Sequence, residues 1–227
     1  MAQTPAEAAT YTPLFLLSYD IMVLYLFNLL IWKCPTRTVL RPLFTSALGK
    51  RHLDLGVGTG YFPSKALVSP SCPCREITLV DLNPTPLEVS RRRILQTAPS
   101  TRVVAVVADA TLPLPLPSDS KFDSISAFYL LHCLAGPADR KNRVFDVARH
   151  HLAPDGVFVG ATLLPLRKRM GWIARLLLTF LTWHGVLSND EDKEEVFAQG
   201  LRRNFADVDI WIVGVAMCWR ATGPRGP

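Results

Sequence analysis

HLDLGVGTGYF, residues 52–62, decides the fold of this chain because it joins a buried strand to a glycine-rich turn. Asp54 lies just before the turn. Gly56, Gly58 and Gly60 can adopt positive φ angles, and they leave no Cβ between the backbone and a ligand. The helix that follows would direct free backbone N–H groups at the same place. Such a turn predicts a site for a nucleotide-like cofactor, although on its own it could be an ordinary tight turn.

The spacing of the glycines excludes two common nucleotide sites. The dinucleotide fingerprint needs a third glycine three residues after the second, where this chain has Tyr61. The phosphate loop of NTPases needs a Gly-Lys-Ser or Gly-Lys-Thr, which does not follow here. What remains, Gly-x-Gly-x-Gly behind an acidic residue, resembles the first motif of class I S-adenosylmethionine (SAM) methyltransferases. The resemblance extends over most of the chain beyond residue 49.

Later segments match the same family in the same order. Residues 77–80 read as a second strand that ends at Asp81, and residues 103–108 as a third that ends at Asp109. A fourth strand, residues 122–130, carries Phe128 near its carboxyl end. In an open α/β sheet the ligand crevice lies at the carboxyl ends of the strands. These polar and aromatic residues therefore predict one composite site.

The resemblance implies a role for each of these positions. Asp81 would accept hydrogen bonds from the ribose diol of SAM, and Asp109 would lie beside the adenine. The cofactor contacts that it implies are Asp54, Gly56, Gly58, Thr59, Gly60, Tyr61, Asp81, Leu82, Asn83, Asp109, Ala110 and Phe128. Two alternatives stay open, because Asp81 could merely cap the next helix and Asp109 could be a turn residue.

The composition is that of an intracellular globular enzyme, and we expect a cytoplasmic location. The 227 residues suffice for one large domain with a small cap. The five cysteines are scattered and show no zinc-site spacing, so we expect reduced thiols and no metal. The formal charge of +6 is dispersed, without the basic runs interleaved with aromatics that a nucleic-acid surface needs. A small-molecule acceptor is therefore expected rather than a nucleic acid.

Residues 13–32 are apolar enough to suggest a membrane span. Ser18, Asp20 and Asn28 interrupt the run, and an acid at the bilayer centre costs about 2.5–3.5 kcal/mol on insertion scales. We therefore expect a buried helix, which the resemblance implies would be a lid over the SAM site. Peripheral contact with a membrane remains the alternative.

Residues 170–186 form a second apolar segment, which we interpret as a helix with few polar positions. In the resembling family the segment after the fifth strand often shapes the acceptor pocket. This helix and the one at 14–31 could together enclose an apolar substrate chamber. They could equally pack on each other with no ligand between them.

The expected fold class is α/β, a three-layer Rossmann-like arrangement around the seven-stranded methyltransferase sheet. Its last strand would be antiparallel, and cap helices would lie in the amino-terminal part of the chain. We expect cap or lid helices in residues 1–48 and a SAM-binding domain in 49–221. A helical insertion would occupy 165–187, and residues 222–227 would be a disordered tail. Strands at 208–213 and 215–221 around Gly214 would form an antiparallel hairpin at the edge of the sheet.

The resemblance implies a SAM-dependent methyltransferase, similar to methyltransferase types 11 and 12 and to small-molecule O-methyltransferases of secondary metabolism. The acceptor would be a small, largely apolar molecule, most simply a hydroxyl of a polyketide-like or aromatic compound. His132, just beyond the fourth strand, is the candidate general base, and the alternative is a structural histidine. Two other functions stay open: ring closure of a pericyclase type without methylation, and methylation of a lipid or terpenoid at a membrane.

Overall fold

A seven-stranded mixed sheet organises the molecule in a computed structural model that describes residues 20–166 and 169–226. The strand order is β3-β2-β1-β4-β5-β7-β6. Strands β1 to β5 are parallel, and β7 is antiparallel to both β5 and β6. The strands are β1 Arg51–Leu55, β2 Glu76–Asp81, β3 Arg102–Val107, β4 Phe122–Phe128, β5 Leu152–Leu163, β6 Phe205–Val213 and β7 Ala216–Pro224. The expected seven-stranded α/β fold is therefore confirmed.

Helices cover the sheet on both faces. Their bounds are α1 Arg41–Ala47, α2 Tyr61–Leu67, α3 Pro84–Thr97, α4 Ala138–Lys141, α5 Arg143–His151, α6 Trp172–Trp183 and α7 Glu194–Asn204. Asp20–Ile31, here called the cap helix, is wound as a π-helix, as is the short Thr36–Leu40 segment that runs into α1. A single turn of 3₁₀-helix, Leu131–Cys133, follows β4.

The side chains of β5 show how the two faces are divided. Phe158 packs with α5 and α7, whereas its neighbours Val159 and Ala161 pack in a cluster that includes α1, α6 and the cap helix. Successive residues of a strand point to opposite faces. Both faces of the sheet are thus buried, which explains why the strands read as continuous apolar runs.

The expected boundaries of the strands hold to within a few residues, with one correction at the carboxyl-terminal segment. Residues 222–227 were expected to be disordered, but Thr222 pairs with Val157 and with Asp207, and Pro224 lies opposite Phe205. Arg225 adds hydrogen bonds from its amide to the Asn204 carbonyl and from its guanidinium to the Phe205 carbonyl. These bonds extend β7 through a Gly-Pro sequence that reads as a terminus of low order.

The cap helix is buried on one side only, which corrects the expectation of a buried helix. Leu24 and Asn28 are buried, whereas Leu26, Leu29 and Leu30 are at least half exposed. Residues 13–19 of the expected segment lie outside the described residues. Nowhere in the described ranges is a helix long and apolar enough to cross a bilayer. The division of residues 1–48 from 49–221 stays a prediction.

Candidate functional site

The glycine-rich turn between β1 and α2 has the backbone that its sequence predicts. Gly56, Gly58 and Gly60 have φ angles of 71°, 56° and 68°. A Cβ at Gly56 would lie 2.7 Å from Leu130 Cδ1, and one at Gly60 would lie 2.8 Å from Ser90 Cβ. A Cβ at Gly58 would meet nothing within 4 Å. The first and third glycines are therefore required by packing and backbone, and the second faces open space.

Asp81 lies at the end of β2 and faces this turn. Its Oδ2 accepts a 3.5 Å hydrogen bond from the Gly58 amide, and its Oδ1 accepts one of 3.0 Å from the Asn83 amide. The cap of α3 is Asn83, whose Oδ1 accepts from the Thr85 amide. Asp81 is thus free of the capping role that the sequence left open. Burial raises the pKa of Asp81 to about 6, against the effect of its backbone hydrogen bonds.

Asp54 is buried beneath the turn at the end of a polar chain that crosses two strands. The Ser126 hydroxyl donates a 2.5 Å hydrogen bond to Asp54 Oδ1. His52 Nε2 is 2.9 Å from Ser126 Oγ, and His52 Nδ1 is 2.7 Å from Ser124 Oγ. Because the Ser126 proton goes to Asp54, its oxygen must accept from His52 Nε2–H. Burial raises the pKa of Asp54 to about 7 and lowers that of His52 to about 3.

The sequence did not predict the series of hydrogen bonds that runs from Ser124 through His52 and Ser126 to Asp54. His52 and Asp54 are opposite Ser124 and Ser126 in the parallel pairing of β1 with β4. The usable signal was a polar residue at alternate positions of two strands that are otherwise apolar. It becomes meaningful only when those two strands are known to be neighbours.

Asp109 follows β3 beside the end of β2, where the Ala108 amide donates to the Asp81 carbonyl. Its Oδ1 accepts hydrogen bonds from the amide and the hydroxyl of Thr111, at 2.8 and 2.7 Å. Its Oδ2 lies 3.4 Å from Arg140 of α4. Asp109 therefore organises a turn, the structural alternative that the sequence left open, at the same sheet edge as Asp81. Ala110 beside it is buried, whereas Leu82 is partly exposed.

Tyr61, Thr59 and Phe128 are all buried around the glycine turn. The Tyr61 hydroxyl shares a 2.7 Å hydrogen bond with that of Tyr25 in the cap helix. The Phe128 ring packs against Phe62, with ring centroids 4.8 Å apart. Phe128 is thus largely occupied by aromatic packing, and Tyr61 joins the cap helix to the turn.

Tyr129, the residue after β4, has a φ of 60°, which is uncommon for a residue other than glycine and is a form of strain that clusters at functional sites. Its amide donates to the Ala161 carbonyl, and its hydroxyl donates to Asn28 Oδ1 at 2.9 Å. Asn28 Nδ2 in turn donates to Thr36 Oγ1 at 2.7 Å. The cap helix is therefore hydrogen-bonded to the start of α2 through Tyr61 and to the residue after β4, Tyr129.

His132 is fully buried in the turn after β4. Its Nδ1 accepts a 3.1 Å hydrogen bond from the Leu163 amide and lies 3.2 Å from Thr162 Oγ1. Burial, and to a smaller extent the charge of Lys141, lowers the pKa of His132 to about 3. A neutral ring that accepts at Nδ1 carries its proton on Nε2. It then has no free lone pair with which to remove a proton.

A cavity of about 610 Å³ opens beside His132. Its walls come from Cys133 and residues 135–137, from Thr182 and His184 at the end of α6, and from most of the loop of residues 185–192. The described part of the cap helix contributes nothing to it, and the lining includes Asp190, Glu191 and Asp192. The cavity is thus more polar than the apolar chamber expected between the two helices.

A buried ion pair holds the wall of this cavity. Lys141 Nζ lies 2.7 and 2.8 Å from the two carboxylate oxygens of Asp192, and it also donates to the Ser188 carbonyl. The Ser188 amide donates to the His132 carbonyl, and Asn189 Nδ2 donates to the Leu163 carbonyl. The middle of the loop is therefore tied to the turn after β4 and to the end of β5, and its carboxyl-terminal end is tied to α4.

Comparison with known proteins identifies this arrangement. The model of the methyltransferase domain family matches residues 53–158, from β1 to the middle of β5. An O-methyltransferase of Aspergillus niger is 45% identical over 181 residues, which cover 78% of this chain and 92% of the relative. The chain belongs to the SAM-dependent O-methyltransferases. The physcion biosynthesis cluster O-methyltransferase of Aspergillus chevalieri is 38% identical over 98% of both chains.

A solved structure supports the fold of the methyltransferase. The O-methyltransferase NcsB1 from neocarzinostatin biosynthesis, solved with SAM and 2-hydroxy-5-methyl naphthoic acid, superposes with a TM-score of 0.61. It is 16% identical and matches 93% of this chain but only 58% of its own. The predicted enzyme class and the cofactor SAM are confirmed by the family and its relatives.

The described residues of the methyltransferase suit this cofactor. The open side of Gly58 gives a ligand access to the backbone, and Asp81 offers a carboxylate at the same place. Among residues 20–166 and 169–226, no cluster of His, Cys, Asp and Glu has the arrangement of a metal site. The assignment of individual residues to the cofactor stays a prediction.

Proposed function

We propose that this methyltransferase transfers the methyl group of SAM to a hydroxyl of a small aromatic or polyketide-like molecule of secondary metabolism. The observation that carries the proposal is the cavity beside His132, which opens just after β4, at the sheet edge that also carries the glycine turn. Its volume of about 610 Å³ lies within the range of small-molecule sites, about 300–1,000 Å³. The names of the relatives agree, since one belongs to a physcion biosynthesis cluster.

On this proposal the cofactor lies along the carboxyl ends of β1 to β4. Asp81 accepts hydrogen bonds from the ribose, and the backbone at Gly58 approaches the cofactor where no side chain intervenes. Thr59, Gly60, Tyr61, Leu82 and Asn83 complete the surroundings of these two groups, with Asp109 and Ala110 beside the adenine. Asp54 acts from below the turn, through its bond to Ser126 and its charge near Asp81.

SAM supplies an already activated methyl group, so the chain mainly has to align the acceptor oxygen and exclude water. The cap helix supports exclusion of water, because it is held over the site by the hydrogen bonds from Tyr25 to Tyr61 and between Asn28 and Tyr129. The Lys141–Asp192 pair supports alignment, because it holds the wall of the acceptor cavity. Alignment of this kind is worth roughly 7–11 kcal/mol of the barrier.

The hydrogen bond from the Leu163 amide favours a positioning role for His132 over the general base expected from sequence. A phenolic hydroxyl, with a pKa near 10, is a much stronger acid than an aliphatic alcohol, so its methylation depends less on a protein base. We therefore propose that His132 holds the turn after β4 against β5, and that the acidity of the acceptor matters more than a protein base. No nucleic-acid partner is proposed.

The function is tested by incubating the protein with methyl-labelled SAM and a panel of phenols, naphthols and hydroxyanthraquinones. We expect S-adenosylhomocysteine and a product heavier by one methyl label. Consumption of an acceptor without formation of S-adenosylhomocysteine would instead establish the ring-closure alternative. If none of the panel reacts while SAM binds, an aromatic acceptor is excluded.

The cavity is tested separately by filling it. Cys133→Phe should raise the KM for the acceptor at least about tenfold while the Kd for SAM stays within about twofold, because the cavity lies beyond the cofactor residues. Cys72→Phe is the matched control, since Cys72 is also a partly exposed thiol but lines a separate cavity with residues 97–101. An equal effect of both substitutions would remove the cavity from the proposal.

A further inference from the structure

Helix α6 exposes a continuous apolar face. Trp172, Ile173, Leu176, Phe180 and Trp183 are all more than half exposed, with 72% for Trp172 and 80% for Trp183. At 3.6 residues per turn these five positions fall within an arc of about 100°. Isolated exposed apolar residues are ordinary on a protein surface, but a contiguous face with two tryptophans marks an interaction site.

The opposite side of α6 is already used. Ala174 and Leu178 are buried, and Leu177 and Leu181 are partly buried, in the apolar cluster that also contains Leu24 and Trp32. The helix is therefore held against the body of the protein by one face and cannot turn its exposed face inward. None of residues 20–166 and 169–226 covers this face, so any partner that covers it lies outside them.

Charge indicates what that partner is. Residues 156–189, which contain α6, include four Lys or Arg and no Asp or Glu. Arg169, just before α6, and Arg175, on α6 beside the apolar arc, are exposed. The cap helix, whose Leu26, Leu29 and Leu30 are also exposed, lies in a second such stretch, since residues 21–53 contain five Lys or Arg and no acid.

We propose that α6 is a monotopic membrane contact, which seats the enzyme on an anionic lipid surface. An apolar face bordered by arginine, with tryptophans at its ends, is the composition of helices that lie in the plane of a membrane interface. Twelve residues of α-helix extend about 18 Å, too short to span a hydrocarbon core of about 30 Å. The arginines can extend to lipid phosphates while the rings enter the acyl boundary.

A second copy of the chain fits this face less well. It would bring the same basic flank to the interface, and the first acids after α6 in the sequence, Asp190 and Glu191, line the cavity at the other end of α6 from Arg169 and Arg175. A lipid surface with anionic headgroups satisfies the apolar face and the basic flank together. The proposal does not depend on the identity of the acceptor, because lipid binding and methylation are measured separately.

The test is co-flotation of the purified full chain with vesicles of phosphatidylcholine alone and of phosphatidylcholine mixed with phosphatidylserine. The protein should float with the mixed vesicles, less so at high salt, and its tryptophan emission should shift to shorter wavelength. Trp172→Ser/Trp183→Ser should lower the vesicle partition coefficient by about tenfold or more, because it removes both interfacial rings. Val68→Ser, at an exposed apolar residue just after α2, should leave it unchanged.

The electrostatic part of membrane binding is tested with a second variant and its matched control. Arg169→Glu should weaken partition onto the anionic vesicles by at least about fivefold. Arg91→Glu, the same charge change at an exposed position of α3, should have little effect. Each variant should still bind S-adenosylhomocysteine in calorimetry, which excludes unfolding as the cause. Absence of wild-type flotation on both vesicle types at low salt would overturn the proposal. So would a dimer that Trp172→Ser/Trp183→Ser converts to monomer without any lipid binding.

Discussion

The Tyr129 hydroxyl donates a 2.9 Å hydrogen bond to Asn28 Oδ1, across 101 positions of the chain. It connects the strained end of β4 to the buried side of the cap helix. Asn28 passes the connection on to Thr36, whose hydroxyl donates to the Leu24 carbonyl within the cap helix. The cap helix and the site are therefore one hydrogen-bonded unit.

Breaking this unit should lower both stability and cofactor affinity. Asn28→Ala removes a buried hydrogen bond to the Tyr129 hydroxyl and another to Thr36, at a cost of about 1–3 kcal/mol in the free energy of unfolding. Tyr129→Phe removes the other partner. In urea denaturation the double variant should lose less than the sum of the two single losses, by about 0.5 kcal/mol or more. Strict additivity would mean that the two side chains are not energetically coupled.

Asp81→Ala should weaken the binding of SAM and of S-adenosylhomocysteine by about 1.5–3 kcal/mol, roughly 10- to 150-fold, because a charge-assisted hydrogen bond to the ribose is lost. Isothermal calorimetry measures this directly. Asp155→Ala is the control, since Asp155 is an exposed acid near the opposite, amino-terminal end of the sheet. Equal affinities for wild type and Asp81→Ala would withdraw the ribose assignment.

Asp54 should make the stability of the unliganded protein depend on pH. Its pKa is raised from 3.8 to about 7 by burial, so the folded state holds a proton that the unfolded state releases. The stabilisation from this proton is complete below about pH 4 and is lost as the pH rises through about 7. Over that range wild type should lose on the order of 4 kcal/mol relative to Asp54→Asn, which cannot titrate.

The comparison of wild type with Asp54→Asn is made by urea denaturation at a series of pH values. The difference in unfolding free energy between the two proteins isolates Asp54, because the other titrating groups are common to both. Among these, the buried His52 and His132 act in the opposite direction to Asp54. Their pKa values are lowered to about 3, so they destabilise the fold as the pH falls below 6.5. A difference between the two proteins that does not vary with pH would show that the pKa of Asp54 is the same in the folded and the unfolded state.

His132 is examined with two substitutions that separate structure from chemistry. His132→Ala leaves the Leu163 amide without its acceptor and opens a void, which should cost about 2–4 kcal/mol of stability. His132→Asn keeps an acceptor oxygen near the place of Nδ1. For a positioning residue, the Asn variant should recover most of the stability and of kcat. Wild-type stability with kcat reduced about 100-fold or more would instead restore the general base.

Substitutions of Lys141 and Asp192 should change the binding of the acceptor rather than the binding of the cofactor. Lys141→Met leaves Asp192 buried without its partner and should cost about 3–5 kcal/mol, whereas Lys141→Met/Asp192→Leu should recover much of that loss. Burial raises the pKa of Asp192, as expected for a carboxylate that relies on this lysine. Because the pair holds the cavity wall, the double variant should raise the KM for the acceptor and leave the Kd for SAM unchanged. A change confined to SAM binding would contradict this.

The sequence predicted what is local in the fold and in the site. The glycine turn, Asp81 and Asp109 could be found because each follows a strand within a few residues, and parallel strands bring their carboxyl ends together. The chain from Ser124 through His52 and Ser126 to Asp54 could not be found, because it depends on the register of two strands about 70 positions apart.

The two apolar helices illustrate a second limit. Hydrophobic residues in the segments at 14–31 and 170–186 predicted helices, but apolar composition does not say which face meets the protein. In both helices one face is buried and the other is exposed. The cavity wall could not be predicted from the sequence either, because the ion pair from Lys141 to Asp192 joins a short helix to a loop about 50 positions away.

The placement of β7 between β5 and β6 has a consequence for the order of folding. During synthesis β5 and then β6 emerge before β7, and neither can complete its hydrogen bonds at that stage. The edge of β5 therefore stays open, with apolar residues on both sides, until β6 and β7 pair and dock as a hairpin. We expect substitutions that speed formation of the hairpin at Gly214 to shorten the time for which this edge is exposed, without any change in the finished site.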